Sequence, residues 1–169
     1  MKEPAYSCGM PEYGHLKRLD RIWISHAVYF ITVCTHERKS VLASTAIHDV
    51  LRCEWGSAWK RHGWQVGRYV VMPDHVHFFC AEQSEGARHQ LSRFVGAWKE
   101  WTAKGARGIL AESGPLWQEE FFDHVLRTDE SYGEKWAYVR ENPVRAGLVS
   151  AWEAWPYQGF VDFDFPRGT

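Results

Sequence analysis

A chain of 169 residues, 45% hydrophobic and 24% charged, is long enough for one globular domain with a full core, which excludes the disordered and fibrous classes. Its formal charge of -1 excludes a global basic field, so a nucleic-acid partner would have to meet a local basic patch. Ten Trp, nine Phe and seven Tyr are more rings than a core this size needs, leaving some exposed to stack on bases or partners.

Residues 1–22 read as an irregular arm with a basic group, Lys17, Arg18 and Arg21, that suits either phosphates or solvent. The arm has no apolar signal-peptide core, and no stretch approaches the roughly 18 apolar residues of a membrane span. Cys8, Cys34, Cys53 and Cys80 are widely spaced, without the paired spacing of a zinc ribbon. A soluble cytoplasmic protein with free thiols is expected.

The β-branched and aromatic run at 27–34 predicts a first, central strand. Ile47, Val50, Leu51, Trp55, Ala58 and Trp59 form one stripe of a helix over about 44–62, with Ser44 or Thr45 to cap its start and Gly63 its end. A strand at 64–72 then turns at Pro73-Asp74 into a second strand at 75–81, giving an antiparallel hairpin. On that second strand His75, His77 and Phe79 share one face and Val76, Phe78 and Cys80 the other. Two imidazoles side by side on a strand can grip a metal ion, although His-x-His alone is a weak signal.

Leu91, Phe94, Val95 and Trp98 predict a second helix over about 85–104, closed by Gly105. Its polar side carries Arg88, Arg93, Lys99 and Lys104, which could hold a phosphate backbone or simply face water. A loop at 105–114 and a possible short strand at 116–118 follow. The capping-box pattern Ser131-x-x-Glu134 predicts a third helix, which Pro143 should end by pushing Asn142 out of helical geometry. Tyr138 and Asn142, four apart, should emerge on one side of its end. The order strand, helix, strand, strand, helix predicts an α+β, ferredoxin-like antiparallel sheet with helices on one face. The other face stays available for His75 and His77. The expected layout is an arm at 1–22, a domain at 23–158 and a tail at 159–169.

Three blocks together resemble a known family: Tyr69 to His77; Trp117-Gln118-x-x-Phe121-x-x-His124-x-x-Arg127; and Trp136-x-Tyr138-x-x-x-Asn142-Pro143-Val144-Arg145-Ala146-Gly147-Leu148-Val149. The chain resembles the REP-associated tyrosine transposases, single-tyrosine members of the HUH group, over about residues 20–158. The resemblance implies a domain that binds structured single-stranded DNA and cuts one strand, with a catalytic C-terminal helix. It implies Tyr138 as nucleophile and His75, His77 and Asn142 as metal ligands. Many relatives have Asn where this chain has Asp74. The basic residues Arg88, Arg93, Lys99, Lys104 and Arg145 are the expected DNA contacts.

The chemistry is consistent with that implication. A phenol with a pKa near ~10 is a weak nucleophile, helped when a cation polarises the phosphate it attacks. Two imidazoles and an amide oxygen, without thiolate, suit Mg²⁺ or Mn²⁺. The expected partner is hairpin-forming single-stranded DNA in the bacterial nucleoid, bound by a monomer or a homodimer. The alternative is a hairpin DNA- or RNA-binding regulator that does not cut. A metal oxygenase or hydrolase acting on a small molecule would want a third His or carboxylate where this chain offers an amide.

Overall fold

The computed structural model describes residues 27–82, 91–111, 114–126 and 129–164. The first strand, β1 (Val28–Cys34), lies inside a five-stranded sheet with β2 (Trp64–Val71), β3 (His75–Glu82), β4 (Phe122–Leu126) and β5 (Gln158–Phe160), in the order β4-β1-β3-β2-β5. Every neighbouring pair is antiparallel. The α+β class and the β2–β3 hairpin are as expected.

One face of the sheet carries Ile31, Val33, Val71, Val76 and Phe78, and against it pack α1 (Thr45–His62) and α2 (Leu91–Ala106). Trp55 of α1 and Trp98 of α2 stack with ring centroids 5.3 Å apart at the centre of this core. Ser44 caps α1 by accepting from the Ile47 amide, and Gly63 closes it in the left-handed region at φ 73°, which glycine adopts without a Cβ penalty. Gly105, expected to stop the second helix, lies within it instead. A Cβ there would meet a Val50 methyl at 2.7 Å, so this glycine lets α2 approach α1 closely.

The other face is not left bare. Val28, Phe30, Val70, Met72 and Phe79 form a second core, covered by Tyr132, Trp136 and Val139 of α3 (Asp129–Arg140) together with Trp155 and Phe163. Helices therefore lie on both faces, and the catalytic-helix candidate covers the face that carries His75 and His77. After α3 a short helix, α4 (Asn142–Arg145), begins at Asn142. Pro143 sits in its first turn, where the missing amide proton costs nothing, so proline starts a new helix here and Asn142 is helical.

The end of the chain belongs to the packed unit through residue 163, beyond the boundary expected at 158. β5 pairs with β2, and Trp155 Nε1 donates to the Val71 carbonyl at 2.9 Å. Phe163 is buried beside Gly67, where a Cβ would collide with its ring. The Asp162 carboxylate accepts from the Val66 amide at 2.8 Å, at an irregularity in the β2–β3 register. Burial raises the Asp162 pKa to about 6, and the amide bond only partly opposes it. The folded chain thus holds this proton at pH values where the unfolded chain, titrating near 3.8, has lost it. Its contribution to stability falls as pH rises through that interval. Asp162→Asn should therefore be more stable than the parent at about pH 7.5, by roughly 1–3 kcal/mol, and converge with it near about pH 4. Paired urea melts check this; a difference that does not change with pH would contradict it.

Among the described residues no helix is long and apolar enough to cross a membrane. Cys34, Cys53 and Cys80 are unbridged thiols. The arm with Lys17, Arg18 and Arg21, together with Arg88, Arg127 and Thr128, lies outside the described residues.

Candidate active site

Strand alternation puts His75 and His77 on the α3 side of the sheet, paired across β1 with Cys34 and Thr32. Their ring centroids are 4.7 Å apart and the planes nearly perpendicular, at 78°. Each ring has its Nδ1 atom engaged. His75 Nδ1 lies 2.6 Å from Asp74 Oδ1, and because a carboxylate only accepts, the proton sits on Nδ1 and the lone pair on Nε2. His77 Nδ1 lies 2.8 Å from Thr32 Oγ1; with that hydroxyl accepting, Nε2 is again the lone-pair nitrogen. A carboxylate or hydroxyl behind the imidazole is how metal-binding histidines are commonly oriented.

Asp74 is itself held. Arg38 Nε donates to Asp74 Oδ2 at 2.9 Å, and Arg38 Nη1 reaches Cys34 Sγ at 2.7 Å. The backbone of Glu37 and Arg38 takes positive φ values of 54° and 56°, uncommon for residues with a side chain. The Thr35 hydroxyl fastens this turn, its single proton shared between the carbonyls of Lys39 and Asp74. The strained turn thus aims an arginine at the carboxylate that orients His75.

Both imidazoles are held neutral. Burial lowers the His77 pKa to about 3, reinforced by the neighbouring His75, Lys135, Arg38 and Arg145. Burial also lowers that of His75, against the opposing pull of Asp74. Neutral imidazole is the form that binds metal.

Helix α3 brings the other half of the site. Tyr132 and Trp136 pack on Phe79, with ring centroids 4.3 and 6.4 Å away. Lys135 Nζ sits 5.0 Å over the Phe30 ring, and Phe30 stacks on His77 at 5.3 Å. Tyr138, one turn on from Lys135, is 63% exposed. The Arg145 guanidinium lies 4.1 Å over the Tyr138 ring, donates to the Tyr138 carbonyl at 2.7 Å and hydrogen-bonds Asn142 Oδ1. Arg145 thus bridges Tyr138 and Asn142. The same Arg145 charge bears on His77, so this cluster and the histidine pair share one electrostatic neighbourhood.

The basic face expected on the second helix is placed elsewhere. Arg93 is exposed on α2, but α2 packs against the opposite face of the sheet from His75 and His77. Lys99 Nζ donates to the carbonyls of Gln118 and Glu119, and Lys104 pairs with Glu100 while lying over Trp101. The cations beside the histidines are instead Lys135 and Arg145, with Arg68 over Trp136 and Arg140 over Trp152 farther along the layer. Sequence reasoning missed Lys135 and the supporting Thr32–His77 and Arg38–Asp74 pairs. The i, i+3 spacing of Lys135 to Tyr138 was the one available signal.

Among the described residues no group of three or more His, Cys, Asp or Glu could hold a metal ion. A cation here would need Asn142 Oδ1 as an oxygen ligand beside two imidazole nitrogens. The donor set fits a hard or borderline divalent ion, provided Arg145 gives up Asn142.

Residues 24–141 match the family described as "Transposase IS200 like". The REP-associated tyrosine transposase of Escherichia coli (strain K12) is 28% identical over 141 residues, 83% of this chain and 80% of that protein. A Haemophilus influenzae relative (strain ATCC 51907 / DSM 11121 / KW20 / Rd) named for the same transposase type is 23% identical over 141 residues, covering 79% of each chain. A solved structure of a REP-associated tyrosine transposase bound to a REP hairpin superposes with a TM-score of 0.66 at 24% identity, over 88% of this chain and 82% of that one, and shares the fold. The resemblance read from the three sequence blocks is borne out.

Proposed function

Because the chain belongs to the IS200-like transposase family, we propose that it cuts and rejoins single-stranded DNA at hairpin-forming repeats, through a 5′-phosphotyrosine on Tyr138. The observation that carries the reading is the pairing of two neutral imidazoles, both with Nδ1 engaged, with an exposed tyrosine on the helix that covers the same sheet face and an amide at the start of the short helix that follows it. The named relatives support the hairpin as substrate: two are called REP-associated tyrosine transposases, and the solved one was bound to a REP hairpin.

In the proposed reaction the Tyr138 hydroxyl oxygen attacks the scissile phosphorus and loses its proton. A new bond joins phosphorus to that oxygen, the bond to the 3′ oxygen breaks, and the 3′ oxygen takes up a proton from solvent and leaves as the 3′ hydroxyl. The ester energy stays on Tyr138, so attack by another 3′ hydroxyl can rejoin a strand. His75, His77 and Asn142 would hold a divalent ion, Mg²⁺ or Mn²⁺, which when bound neutralises charge growing on the phosphate oxygens. Arg145 already touches both Tyr138 and Asn142, and it is the foremost candidate DNA contact: its guanidinium can exchange the amide oxygen for a phosphate oxygen. Arg93, exposed on α2, remains available for DNA outside the site, whereas Lys99 and Lys104 are engaged within the protein.

The bond from Arg145 to Asn142 also favours a second reading, a hairpin-binding regulator that does not cut, because it occupies the proposed third ligand. End-labelled hairpin DNA with an unpaired flank, incubated with the protein and Mn²⁺ and run on a denaturing gel, separates the two. A shortened strand with a protein-linked partner is the expected result. Binding with an intact strand would leave the regulator.

A further inference from the structure

Where the end of α2 meets the turn that carries Arg38, a cavity of about 250 Å³ opens to the surface. Its floor is apolar: Val41, Ala103, Leu110 and Leu116 are half-buried and continuous with the core under α1 and α2. Its rim is charged. Lys39 and Arg107 are exposed there against one carboxylate, Glu37, which lies 3.9 Å from the His36 imidazole of the same rim. Arg107 pairs with no carboxylate among the described residues. The negative end of α2 is partly closed, since the Ala106 carbonyl accepts from the amides of Ile109 and Leu110.

The walls of this cavity are tied to the candidate active site. His36, Glu37 and Lys39 bracket Arg38, whose guanidinium holds the Asp74 carboxylate behind His75. The Leu116 carbonyl accepts from the His36 amide at 2.8 Å, and the Lys39 carbonyl shares the Thr35 hydroxyl proton with the Asp74 carbonyl. We propose that the cavity binds a small organic anion, one ring-sized apolar group bearing one carboxylate, and that its occupancy fixes the Arg38 turn and so tightens metal binding at His75. The inference rests on the metal-ligand reading of His75 proposed above and adds a regulatory site to it. Volume and charge select the ligand. An apolar cavity of about 150 Å³ already accommodates benzene, so this one has room for a ring with a short acidic arm. Lys39 and Arg107 favour an anion over a neutral or cationic molecule of the same shape, and the guanidinium offers a carboxylate two parallel hydrogen bonds. The turn itself, with Glu37 and Arg38 at positive φ, is held by contacts rather than by its own backbone preference. A ligand that grips its flanks therefore has an equilibrium to act on.

The test follows amide chemical shifts of the isotope-labelled parent protein on titration with phenylacetate, benzyl alcohol and benzylamine. Phenylacetate should shift Val41, Ala106, Leu110 and Leu116, and the other two compounds should bind at least about tenfold more weakly. Arg107→Gln, a change to an exposed side chain, should weaken phenylacetate about tenfold, and Ala103→Leu, which fills the floor, should abolish its binding. Mn²⁺ binding, read from the electron paramagnetic resonance signal of the free ion, should tighten about fivefold at saturating phenylacetate. Asp74→Ala, which cuts the link from Arg38 to His75, should remove that gain. Equal shifts from the three compounds, or none at the cavity, would overturn the proposal, and so would phenylacetate binding that leaves Mn²⁺ affinity unchanged; the cleavage proposal would stand in each case. Failure of the parent protein to bind Mn²⁺ at all would overturn the metal-ligand reading and this inference with it. A protein that shows both effects yet leaves the hairpin uncut would overturn the cleavage reading and support the regulatory site.

Discussion

Tyr138→Phe is expected to abolish strand cleavage, by at least about 10³-fold, while hairpin binding stays within a fewfold of the parent. The substitution removes one oxygen. The ring on which the Arg145 guanidinium lies is kept, and the carbonyl to which Arg145 donates belongs to the backbone. With the side chain 63% exposed, no buried partner is lost and the fold should be indifferent. Cleavage depends on that oxygen alone, since no other group in the proposed reaction can carry the phosphate. Cleavage rates on a gel and affinity by anisotropy, measured on the same preparation, check the split. A Phe variant that still cuts at the parental rate would show that another residue, or water, is the nucleophile.

The second large effect is expected at the histidine pair. His77→Ala should lower Mn²⁺-supported cleavage by more than the roughly 10–100-fold typical of losing a residue behind a metal ligand, again with hairpin binding retained. Thr32→Val and Asp74→Ala act one step further back, on the Nδ1 atoms of His77 and His75, and should fall within that smaller range. The graded order is the informative part. A merely structural histidine pair would make binding, stability and cleavage fall together, whereas ligands make cleavage fall first and make it recover with added metal in the milder variants. Titrating Mn²⁺ against cleavage rate for the three variants measures this directly. Equal losses of binding and cleavage would point to a structural pair.

The parts of the fold legible in the sequence are those set by local chemistry. The run at 27–34 is apolar because β1 is central and packed on both faces, and α1 lies between Ser44 and Gly63 because each closes backbone groups that its own neighbours leave open. The β2–β3 hairpin followed from the Pro73-Asp74 turn, and with it the shared face of His75 and His77. Tyr138 and Asn142 were legible as neighbours because helical spacing is also local, even though Asn142 turned out to begin a helix of its own.

What was not legible depended on contacts distant in sequence. β4 reads Phe-Asp-His-Val-Leu, and four of its five residues are exposed, so an edge strand left no apolar run to find. Gly105 looked like a helix stop because its reason, the approach of Val50, lies 55 residues earlier in the chain. The basic face of α2 was real as a pattern, but which side of the sheet it would occupy could not be read from it. Lys135 was passed over for the converse reason: one lysine on a helix of low amphipathicity carries no pattern, and its place over Phe30, beside His77, exists only once α3 is laid on the sheet.

The proposed chemistry is most directly tested by the identity of the covalent bond. The parent protein, incubated with a flanked hairpin and Mn²⁺, denatured and digested with trypsin and nuclease, can be examined by peptide mass spectrometry. A nucleotide 5′-phosphate attached to the peptide containing Tyr138 is the result expected. Cleaved DNA whose 5′ phosphate is free, or is attached to any other residue, would contradict it.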